Sequence, residues 1–270
     1  MVCFVCLVGY LMDVAEHNRR AWNIESKDDG EWSTPVEPEV IERARQGDWS
    51  VGLTTKKTAP RSWFPETMTG VEILCLAAGG GQQVPVLAAT GGKVTCLDLS
   101  DEQLAKDQMV AEQHGLEVRI EQGVMTDLSR FEDESFDLVF HPASNCFIPD
   151  VNPVWRECHR VLRPGCCLLS GVMNPSFYLF DHDDAEKRGV LEVKYPLPYS
   201  DLTTLTDEER ERTLKVRDTL EFGHCLDDLV GGQIRAGFSI IDFYEDYWTD
   251  TATLLNVFSP TSMATRALKA

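Results

Sequence analysis

This sequence has few basic residues compared with its acidic ones. Its 270 residues include 25 Lys and Arg against 44 Asp and Glu, which gives a formal net charge of −19. Proteins that bind nucleic acids use Lys and Arg to neutralise phosphates, so this balance argues against nucleic acid as a partner. It favours a small or cationic ligand and a surface on which like charges repel one another.

Long hydrophobic runs are also missing. The most apolar stretch, residues 1–12, has no basic residue and is shorter than the roughly 20 residues that a membrane-spanning helix needs. A secretory signal would begin with a basic region, which this stretch lacks. The sequence therefore predicts neither a membrane span nor a membrane partner.

Cysteine pairs with the spacing of a metal site are scarce as well. The chain has nine cysteines, an odd number, and the C-x-x-C pair of Cys3 and Cys6 has no second Cys or His pair to complete a metal site. Cys75 and Cys96 fall in apolar segments that we expect to be buried strands. We therefore expect reduced thiols, a cytoplasmic protein and no bound metal.

A β-α-β pattern with a glycine turn organises the rest of the chain. Residues 73–76 are a short apolar run typical of a buried strand, and the glycines at 79–81 follow it closely. A helix over 82–89 and a strand over 93–97 come next, and Asp98 ends that strand. Glycines let a ligand approach the backbone, a helix start offers N–H groups, and an acid in this place accepts ribose hydroxyls. The pattern indicates a nucleoside-binding site.

Strands and helices continue to alternate beyond this unit, which predicts a doubly wound α/β fold. The expected sheet has seven strands and is mostly parallel, with the last strand antiparallel. The further predicted elements are helices over 101–114, 151–162 and 226–236, and strands over 117–121, 136–140, 166–171, 239–244 and 263–268.

Two segments fall outside this alternation. We name residues 1–65 the arm and residues 175–222 the lid; the core comprises 66–174 and 223–270. Within the lid, the pattern predicts strands over 190–196 and 215–222 around a helix over 206–213.

Aromatic residues are frequent in both outer segments, and two interpretations of them stay open. Those of the arm either pack it onto the core or close over a ligand. Those of the lid either wall off an apolar ligand, where aromatic faces can also attract a cation, or form the lid's own small core. The aromatic residues concerned are Trp22, Trp63 and Phe64 in the arm and Phe177, Tyr178, Phe180, Tyr195 and Tyr199 in the lid, and Arg61 of the arm is considered with them.

The glycine turn distinguishes between two kinds of nucleoside ligand. A dinucleotide site has the pattern G-x-G-x-x-G/A, whose first two positions are Gly79 and Gly81 here. Val84 occupies the third position, which weakens the dinucleotide interpretation. S-adenosylmethionine has no pyrophosphate and therefore tolerates a shorter glycine turn.

Four ordered motifs within residues 71–171 carry a family resemblance. They are the stretch 73–81 (ILCLAAGGG), Asp98, the segment 135–139 (SFDLV) and the segment 157–165 (ECHRVLRPG). In these motifs the chain resembles class I S-adenosylmethionine-dependent methyltransferases of the small-molecule kind, known as methyltransferase type 11 domains. The resemblance implies S-adenosylmethionine as the cofactor and a sheet of order 3-2-1-4-5-7-6 with strand seven antiparallel.

The resemblance also implies which residues bind the cofactor, with Asp98 as the acid that holds the ribose. Cys75 stands where the family has an acid, Ala77 where it has a first glycine, and Val124 where it has an adenine-binding aspartate. Either Asp127 or the backbone of Met125 is the candidate replacement for that aspartate, and for Asp127 the capping of a helix or turn is an equal alternative. The residues assigned to the cofactor are Ala77, Gly79, Gly81, Gln83, Asp98, Leu99, Met125, Asp127 and His141.

Chemistry is expected where strand four ends, because ligands of an open α/β sheet bind at the carboxyl ends of its strands. His141 and Asn145 follow that strand and are the catalytic candidates. Alignment and desolvation carry much of a methyl transfer, and a general base is needed only if the acceptor holds a proton. His141 could be that base, a contact to cofactor or substrate, or a structural hydrogen-bonding group. Asn145 could orient the acceptor or a carboxylate, or have a structural role.

We therefore expect a cytoplasmic S-adenosylmethionine-dependent methyltransferase with a small-molecule acceptor, an acceptor pocket closed by arm and lid, and no metal. One alternative is a cofactor-binding regulatory protein without catalysis, which the departures at Cys75, Ala77 and Val124 keep open. A less favoured alternative is an NAD-type oxidoreductase.

Overall fold

A seven-stranded sheet lies at the centre of the computed structural model, which describes residues 13–215, 219–249 and 252–270, with the backbone alone for 212–215. The strands in chain order are β1 (Glu72–Leu76), β2 (Lys93–Asp98), β3 (Val118–Gln122), β4 (Phe136–His141), β5 (Leu162–Met173), β6 (Tyr199–Ser200), β7 (Phe222–Gly223), β8 (Phe238–Asp246) and β9 (Ser262–Lys269).

The order of the strands confirms the predicted topology. The sheet reads β3-β2-β1-β4-β5-β9-β8, while the short strands β6 and β7 pair with each other in the lid. Within the seven-stranded sheet, β9 runs antiparallel to both β5 and β8, and the other pairs are parallel. With the lid pair left out of the count, β8 and β9 are the sixth and seventh strands. The order is therefore 3-2-1-4-5-7-6.

Helices cover both faces of the sheet, as expected for a doubly wound fold. They are α1 (Val14–Lys27), α2 (Pro38–Arg45), α3 (Gln83–Ala89), α4 (Asp101–His114), α5 (Asn152–Val161), α6 (His182–Arg188), α7 (Asp207–Lys215) and α8 (Gly232–Ala236). A π-helical turn, Asp227–Gly231, leads into α8, so the helix predicted over 226–236 is divided in two.

Two hydrophobic clusters, one on each face, show why β1 reads as an uninterrupted apolar run. Ile73 and Cys75 pack with α2, α3 and α4, whereas Leu74 and Leu76 pack with α5. Successive side chains of a strand point to opposite faces, so a strand covered on both sides needs apolar residues at every position.

Capping residues set both ends of α4. The Ser100 hydroxyl oxygen accepts a hydrogen bond from the Gln103 backbone N–H at 3.1 Å. Gly115 ends the helix in the left-handed region at φ +61°. These caps place Asp98 and Ser100 directly before the helix, beside the glycine turn.

The two strands predicted in the lid do not form over the predicted residues. Residues 190–196 form no strand in the described chain; a single bridge joins Val193 to Phe180. Pro196 and Pro198 lack the N–H that a ladder needs. The strand over 215–222 is also wrong for the described part: β7 begins at Phe222, and 216–218 lie outside the described residues.

The helix of the lid is confirmed as α7, with the Thr206 and Glu209 capping box. The Thr206 N–H donates to Glu209 Oε2 at 2.9 Å, and the Glu209 N–H donates to Thr206 Oγ1 at 3.3 Å. The division of the chain into arm, core and lid stays a prediction.

No helix within the described residues has both the length and the apolar character that crossing a membrane requires.

Candidate active site

The glycine turn after β1 leaves no room for side chains. Ala77 has φ +49°, and Gly80 and Gly81 have φ +114° and +77°, values that glycine adopts readily and other residues rarely. A Cβ on Gly79 would lie 3.1 Å from Asp98 Oδ2. A Cβ on Gly80 would lie 2.6 Å from the Trp32 carbonyl oxygen. The turn therefore brings bare backbone close to the acid at the end of β2.

Asp98 lies at the end of β2 with its carboxylate against this turn. Its Oδ2 accepts from the Gly79 N–H at 3.0 Å and its Oδ1 accepts from the Ser100 N–H at 2.9 Å. Burial raises the pKa of Asp98, and the backbone N–H bonds oppose that rise. The N–H groups orient the carboxylate, and Asp98 also lines the large cavity described below.

A second buried acid, Asp107 on α4, holds the glycine turn through a hydrogen bond to its backbone. The sequence analysis did not identify this residue. Its Oδ1 accepts from the Gly81 N–H at 2.9 Å, and its Oδ2 lies 3.7 Å from Cys96 Sγ. Burial raises the pKa of Asp107 well above its ordinary value. The available signal was helical spacing, because Leu104 and Ala111, three residues before and four after, are both buried.

Cys75 places an uncharged side chain where the resemblance implied an acid. The thiol is buried with Ala78 and Val84, and burial raises its pKa well above the ordinary value. The negative charge of Asp107 adds to that rise, so the two groups are neighbours. In this chain the buried carboxylate that contacts the turn is that of Asp107, and it comes from α4 instead of β1.

A cavity of about 320 Å³ opens between the turn, the strand ends, the arm and the lid. Its lining at the glycine turn and the strand ends includes most of the residues that the sequence assigned to the cofactor. Those in its lining are Ala77, Gly79, Gln83, Asp98, Leu99 and Met125. Gly81, Asp127, His141 and Asn145 are not among its lining residues.

Glutamines at the start of α3 hold the arm. The Gly52 N–H donates to Gln83 Oε1 at 2.9 Å, and Gln82 Nε2 donates to the Glu31 and Thr34 carbonyls at 2.9 and 3.1 Å. Both glutamines also line the cavity. Gln83 thus holds the arm through its side chain and also lines the cavity.

His141 and Asn145 are buried in the wall behind the cavity. His141 Nδ1 lies 2.8 Å from the Leu76 carbonyl oxygen, and its Nε2 lies 2.8 Å from Asn145 Oδ1. Asn145 Nδ2 donates to the Gly171 carbonyl at 3.1 Å. Burial lowers the pKa of His141. This network ties the end of β4 to β1 and β5; a catalytic role for either residue stays a prediction.

Asp127 is exposed and its Oδ1 accepts from the Ser129 N–H at 3.0 Å. Hydrogen bonds from Ser129 lower the pKa of Asp127. This is the turn-capping geometry that the sequence left open. Val124 and Met125, just before it, line the cavity instead.

The far side of the cavity is mostly apolar and is built by arm, core and lid together. Of the aromatic residues that the sequence singled out, Trp22 and Tyr178 reach it. Trp63 and Phe64 are buried in the core, and the Arg61 guanidinium lies 4.6 Å from the Trp49 ring. Its lining comprises Val14, Ala15, Asn18, Trp22, Trp32, Leu53, Thr54, Thr55, Ser144, Cys146, Phe147, Ile148, Met173, Tyr178, Glu221 and Trp248.

Trp248 and Glu221 were not found from the sequence, since both stand outside any motif. Trp248 stacks on Phe177 of the lid, with ring centroids 5.5 Å apart, and meets Trp32 of the arm edge-on at 6.2 Å. It therefore joins the two outer segments over the cavity.

A smaller cavity of about 280 Å³ lies inside the lid. All five lid aromatics that the sequence singled out line it, namely Phe177, Tyr178, Phe180, Tyr195 and Tyr199. Tyr178 and Glu221 line both cavities. The lid aromatics thus surround their own interior, and Tyr178 also faces the main cavity.

The fold and this turn define a Rossmann-like protein with a nucleoside site at the strand ends. Residues 74–169 match the family model described as a methyltransferase domain. Over 253 residues the chain is 45% identical to an uncharacterized methyltransferase, YbaJ, of Bacillus subtilis, covering 94% of this chain and 97% of that protein. The chain therefore belongs to the S-adenosylmethionine-dependent methyltransferases, and S-adenosylmethionine is its cofactor.

More distant relatives agree with this family. A ubiquinone biosynthesis O-methyltransferase of Pseudomonas syringae pv. tomato is 29% identical over 169 residues, which is 59% of this chain and 72% of that one.

Two solved structures share the fold. A methyltransferase of Mesorhizobium loti gives a TM-score of 0.56 at 20% identity, over 77% of this chain and 94% of that one. The 1,6-didemethyltoxoflavin-N1-methyltransferase of Burkholderia thailandensis, solved with S-adenosylhomocysteine, gives 0.58 at 14% identity, over 95% and 88%.

Proposed function

We propose that this methyltransferase acts on a small-molecule acceptor in the cytoplasm. The observation that carries the proposal is the cavity of about 320 Å³, which runs from Asp98 to an apolar end beside arm and lid. A concave, mostly apolar pocket of this size suits a compact acceptor. The net charge of −19 argues against a nucleic-acid acceptor.

The residues around the turn fit the cofactor. Asp98 would accept hydrogen bonds from the ribose hydroxyls, since its carboxylate faces the cavity and is already oriented by backbone N–H groups. The cradle at Gly79 would be filled by any Cβ. Leu99 and Met125 would flank the base. When bound, S-adenosylmethionine supplies an activated methyl group on a positively charged sulfur.

The remaining task of the protein is to align the acceptor and exclude water. Trp22, Trp32 and Trp248 close the cavity from the arm and from the connection between β8 and β9. His141 and Asn145 would support the site indirectly, through the Leu76 and Gly171 carbonyls. The names of an O-methyltransferase of ubiquinone biosynthesis and of a toxoflavin N-methyltransferase support a small-molecule acceptor.

Calorimetry with S-adenosylmethionine and S-adenosylhomocysteine, followed by transfer of a labelled methyl group to a metabolite panel, tests the proposal. We expect binding of both cofactor forms and labelling of a small molecule, with no labelling of RNA or DNA. Binding without transfer to any acceptor would favour a regulatory protein. Binding of NAD in place of S-adenosylmethionine would favour an oxidoreductase.

A further inference from the structure

Two carboxyl groups contact the glycine turn after β1. Asp98 Oδ2 accepts from the Gly79 N–H at 3.0 Å, and Asp107 Oδ1 accepts from the Gly81 N–H at 2.9 Å. Asp98 lines the cavity, whereas Asp107 is fully buried and does not line it. The two acids thus hold the same short turn, and water screens charges in such a place only weakly.

Neither acid forms an ion pair with a Lys, Arg or His in the described part of the chain. Lys106, next to Asp107 in sequence, pairs with Asp29 of the arm instead. Lys, Arg and His are also absent from the described residues that line the cavity. A positively charged ligand in the cavity would therefore supply the charge that these acids lack.

The groups that face Asp107 from the sheet carry no positive charge either. Cys96 Sγ of β2 lies 3.7 Å from Asp107 Oδ2, and Cys75 of β1 and Asp98 of β2 interact with the same carboxyl electrostatically. Burial raises the pKa of Asp107 well above its ordinary value; the Gly81 N–H opposes that rise, and the like charge of Asp98 adds to it. Without a ligand, Asp107 therefore stays protonated to a higher pH than an ordinary aspartate.

The cofactor changes its charge during the reaction, and it does so beside the ribose. The sulfur of S-adenosylmethionine is positively charged and is joined to the ribose ring through a single carbon. S-adenosylhomocysteine has the same ribose and the same amino-acid end, but its sulfur is neutral. With the ribose at Asp98, as proposed above, the charge that distinguishes the two molecules lies near the turn that Asp107 holds.

We infer that Asp107 makes the site distinguish the methyl donor from the demethylated product, because its carboxylate attracts the positively charged sulfur and not the neutral one. This inference rests on the proposed function. When the donor binds, the Asp107 carboxyl releases its proton to solvent. When the methyl group leaves, the sulfur keeps the electron pair of the broken bond and becomes neutral, and Asp107 takes up a proton from solvent. The loss of attraction then favours release of the product.

The substitution Asp107→Asn tests this role, because it keeps an acceptor for the Gly81 N–H and removes the charge. In calorimetry at neutral pH, the Kd of S-adenosylmethionine should rise about fivefold, while the Kd of S-adenosylhomocysteine should change by less than about twofold. A residue that only shapes the turn would affect both ligands equally. An equal change in the two Kd values, or no change in either, would overturn the inference.

Glu112→Gln is the matched control on the same helix. Glu112 is exposed, and its Oε1 accepts from Gln108 Nε2 at 2.6 Å. The substitution removes one negative charge from α4 at a position that water screens. Both Kd values should stay unchanged. A shift in preference as large as that of Asp107→Asn would mean that the overall charge of the protein, and not Asp107, sets the preference.

Proton release provides a second readout, independent of affinity. Calorimetry in phosphate and in Tris, whose ionisation enthalpies differ, counts the protons that leave the protein on binding. Near neutral pH, S-adenosylmethionine should release more protons than S-adenosylhomocysteine, because the ribose stabilises ionised Asp98 with either ligand whereas Asp107 responds to the sulfur charge. In Asp107→Asn the two ligands should release equal numbers. A difference that persists in that variant would contradict the role of Asp107.

Failure of the proposed function would look different. If neither cofactor form bound the unsubstituted protein, or if Asp98→Asn bound both as tightly as the original, the proposed function or its placement of the ribose would be wrong. If both forms bind and Asp98→Asn weakens them, an unchanged preference in Asp107→Asn overturns the role of Asp107 alone.

Discussion

In its proposed role Asp98 accepts hydrogen bonds from both ribose hydroxyls as an ionised carboxylate, yet its surroundings disfavour the charge. Burial raises its pKa, whereas the N–H groups of Gly79 and Ser100 stabilise the carboxylate. Asp107, on the other side of the turn, feels the like charge of Asp98. Protonation of Asp98 should therefore begin at a pH above the usual range of an aspartate.

Cofactor binding should consequently weaken as the pH falls. Calorimetry with S-adenosylhomocysteine from about pH 8 down to about pH 5 should show a falling affinity, because a protonated Asp98 cannot accept from both ribose hydroxyls. Asp98→Asn should bind weakly at every pH and lose this dependence. A pH profile of the substituted protein that matches the original would contradict the ribose role of Asp98.

Asp107 permits a stability prediction whose sign follows from its raised pKa. An acid whose pKa is higher folded than unfolded contributes stability at low pH, and loses it as the pH rises toward the folded pKa. Asp107→Asn keeps an acceptor for the Gly81 N–H and removes the buried charge. Urea unfolding should show it to be at least as stable as the original protein at neutral pH, with a flatter pH dependence.

Asp107→Leu is the contrasting variant. It removes the acceptor of a buried N–H at Gly81, which should cost about 1–3 kcal/mol in the free energy of unfolding. If the Asn and Leu variants lose equal stability, the hydrogen bond to Gly81 is not what Asp107 contributes.

Asp98 and Asp107 also show which parts of the site can be predicted from the sequence alone. Asp98 is predictable because an acid after a strand and a glycine turn form one local pattern. Asp107 supports the same turn from within α4, and its partner Gly81 is 26 positions away. No short motif encodes that contact, so it requires the fold. Likewise His141 has the residue type of a base, but its two ring nitrogens lie against the Leu76 carbonyl and Asn145 Oδ1, and its residue type cannot reveal those partners.

At the scale of elements, α1 links the lid to the core. Its buried Asn18 makes hydrogen bonds to Leu220 at both the N–H and the carbonyl, and its Nδ2 donates to the Phe147 carbonyl at 2.9 Å. Arg19 of the same helix pairs with Asp101 of α4 at 2.8 Å. A single polar residue thus satisfies backbone groups of two other segments.

Asn18→Ala should therefore loosen arm and lid together. Leaving these buried groups without partners should lower the free energy of unfolding by about 1–3 kcal/mol, and limited proteolysis should reach both segments sooner. Arg20→Ala is the control on the same helix, because Arg20 is exposed and its carboxylate partner is Glu16, one turn away. Faster cleavage in the arm only would show that Asn18 does not hold the lid.

Elements of the core are more predictable than those of the lid for a physical reason. A core strand is buried on both faces, so its apolar run is long enough to recognise, as in β1 and β4. The strand predicted over 190–196 has no apolar run of this kind. There the N–H groups of Lys194 and Tyr195 both donate to the Leu179 carbonyl, at 2.8 and 3.1 Å, instead of to a neighbouring strand.

At the scale of the whole molecule, one cavity joins segments that are far apart in the chain. Val14 of the arm, Gly79 of the turn and Trp248 beyond β8 all line it, together with Tyr178 and Glu221 of the lid. A ligand there touches every part of the architecture. Binding should therefore stabilise these parts together and not the glycine turn alone.

Hydrogen exchange with and without S-adenosylhomocysteine checks this coupling. At a ligand concentration of about 100 times Kd, the linkage between binding and folding gives about 2.7 kcal/mol of added stability. Slower exchange should extend from the turn after β1 to α1 and to the backbone of Leu220 and Phe222, whose contacts pass through Asn18 and the cavity wall. Asp98→Asn under the same conditions should show little added protection anywhere. Protection confined to the turn and the end of β2 would mean that arm and lid close over the acceptor independently of the cofactor.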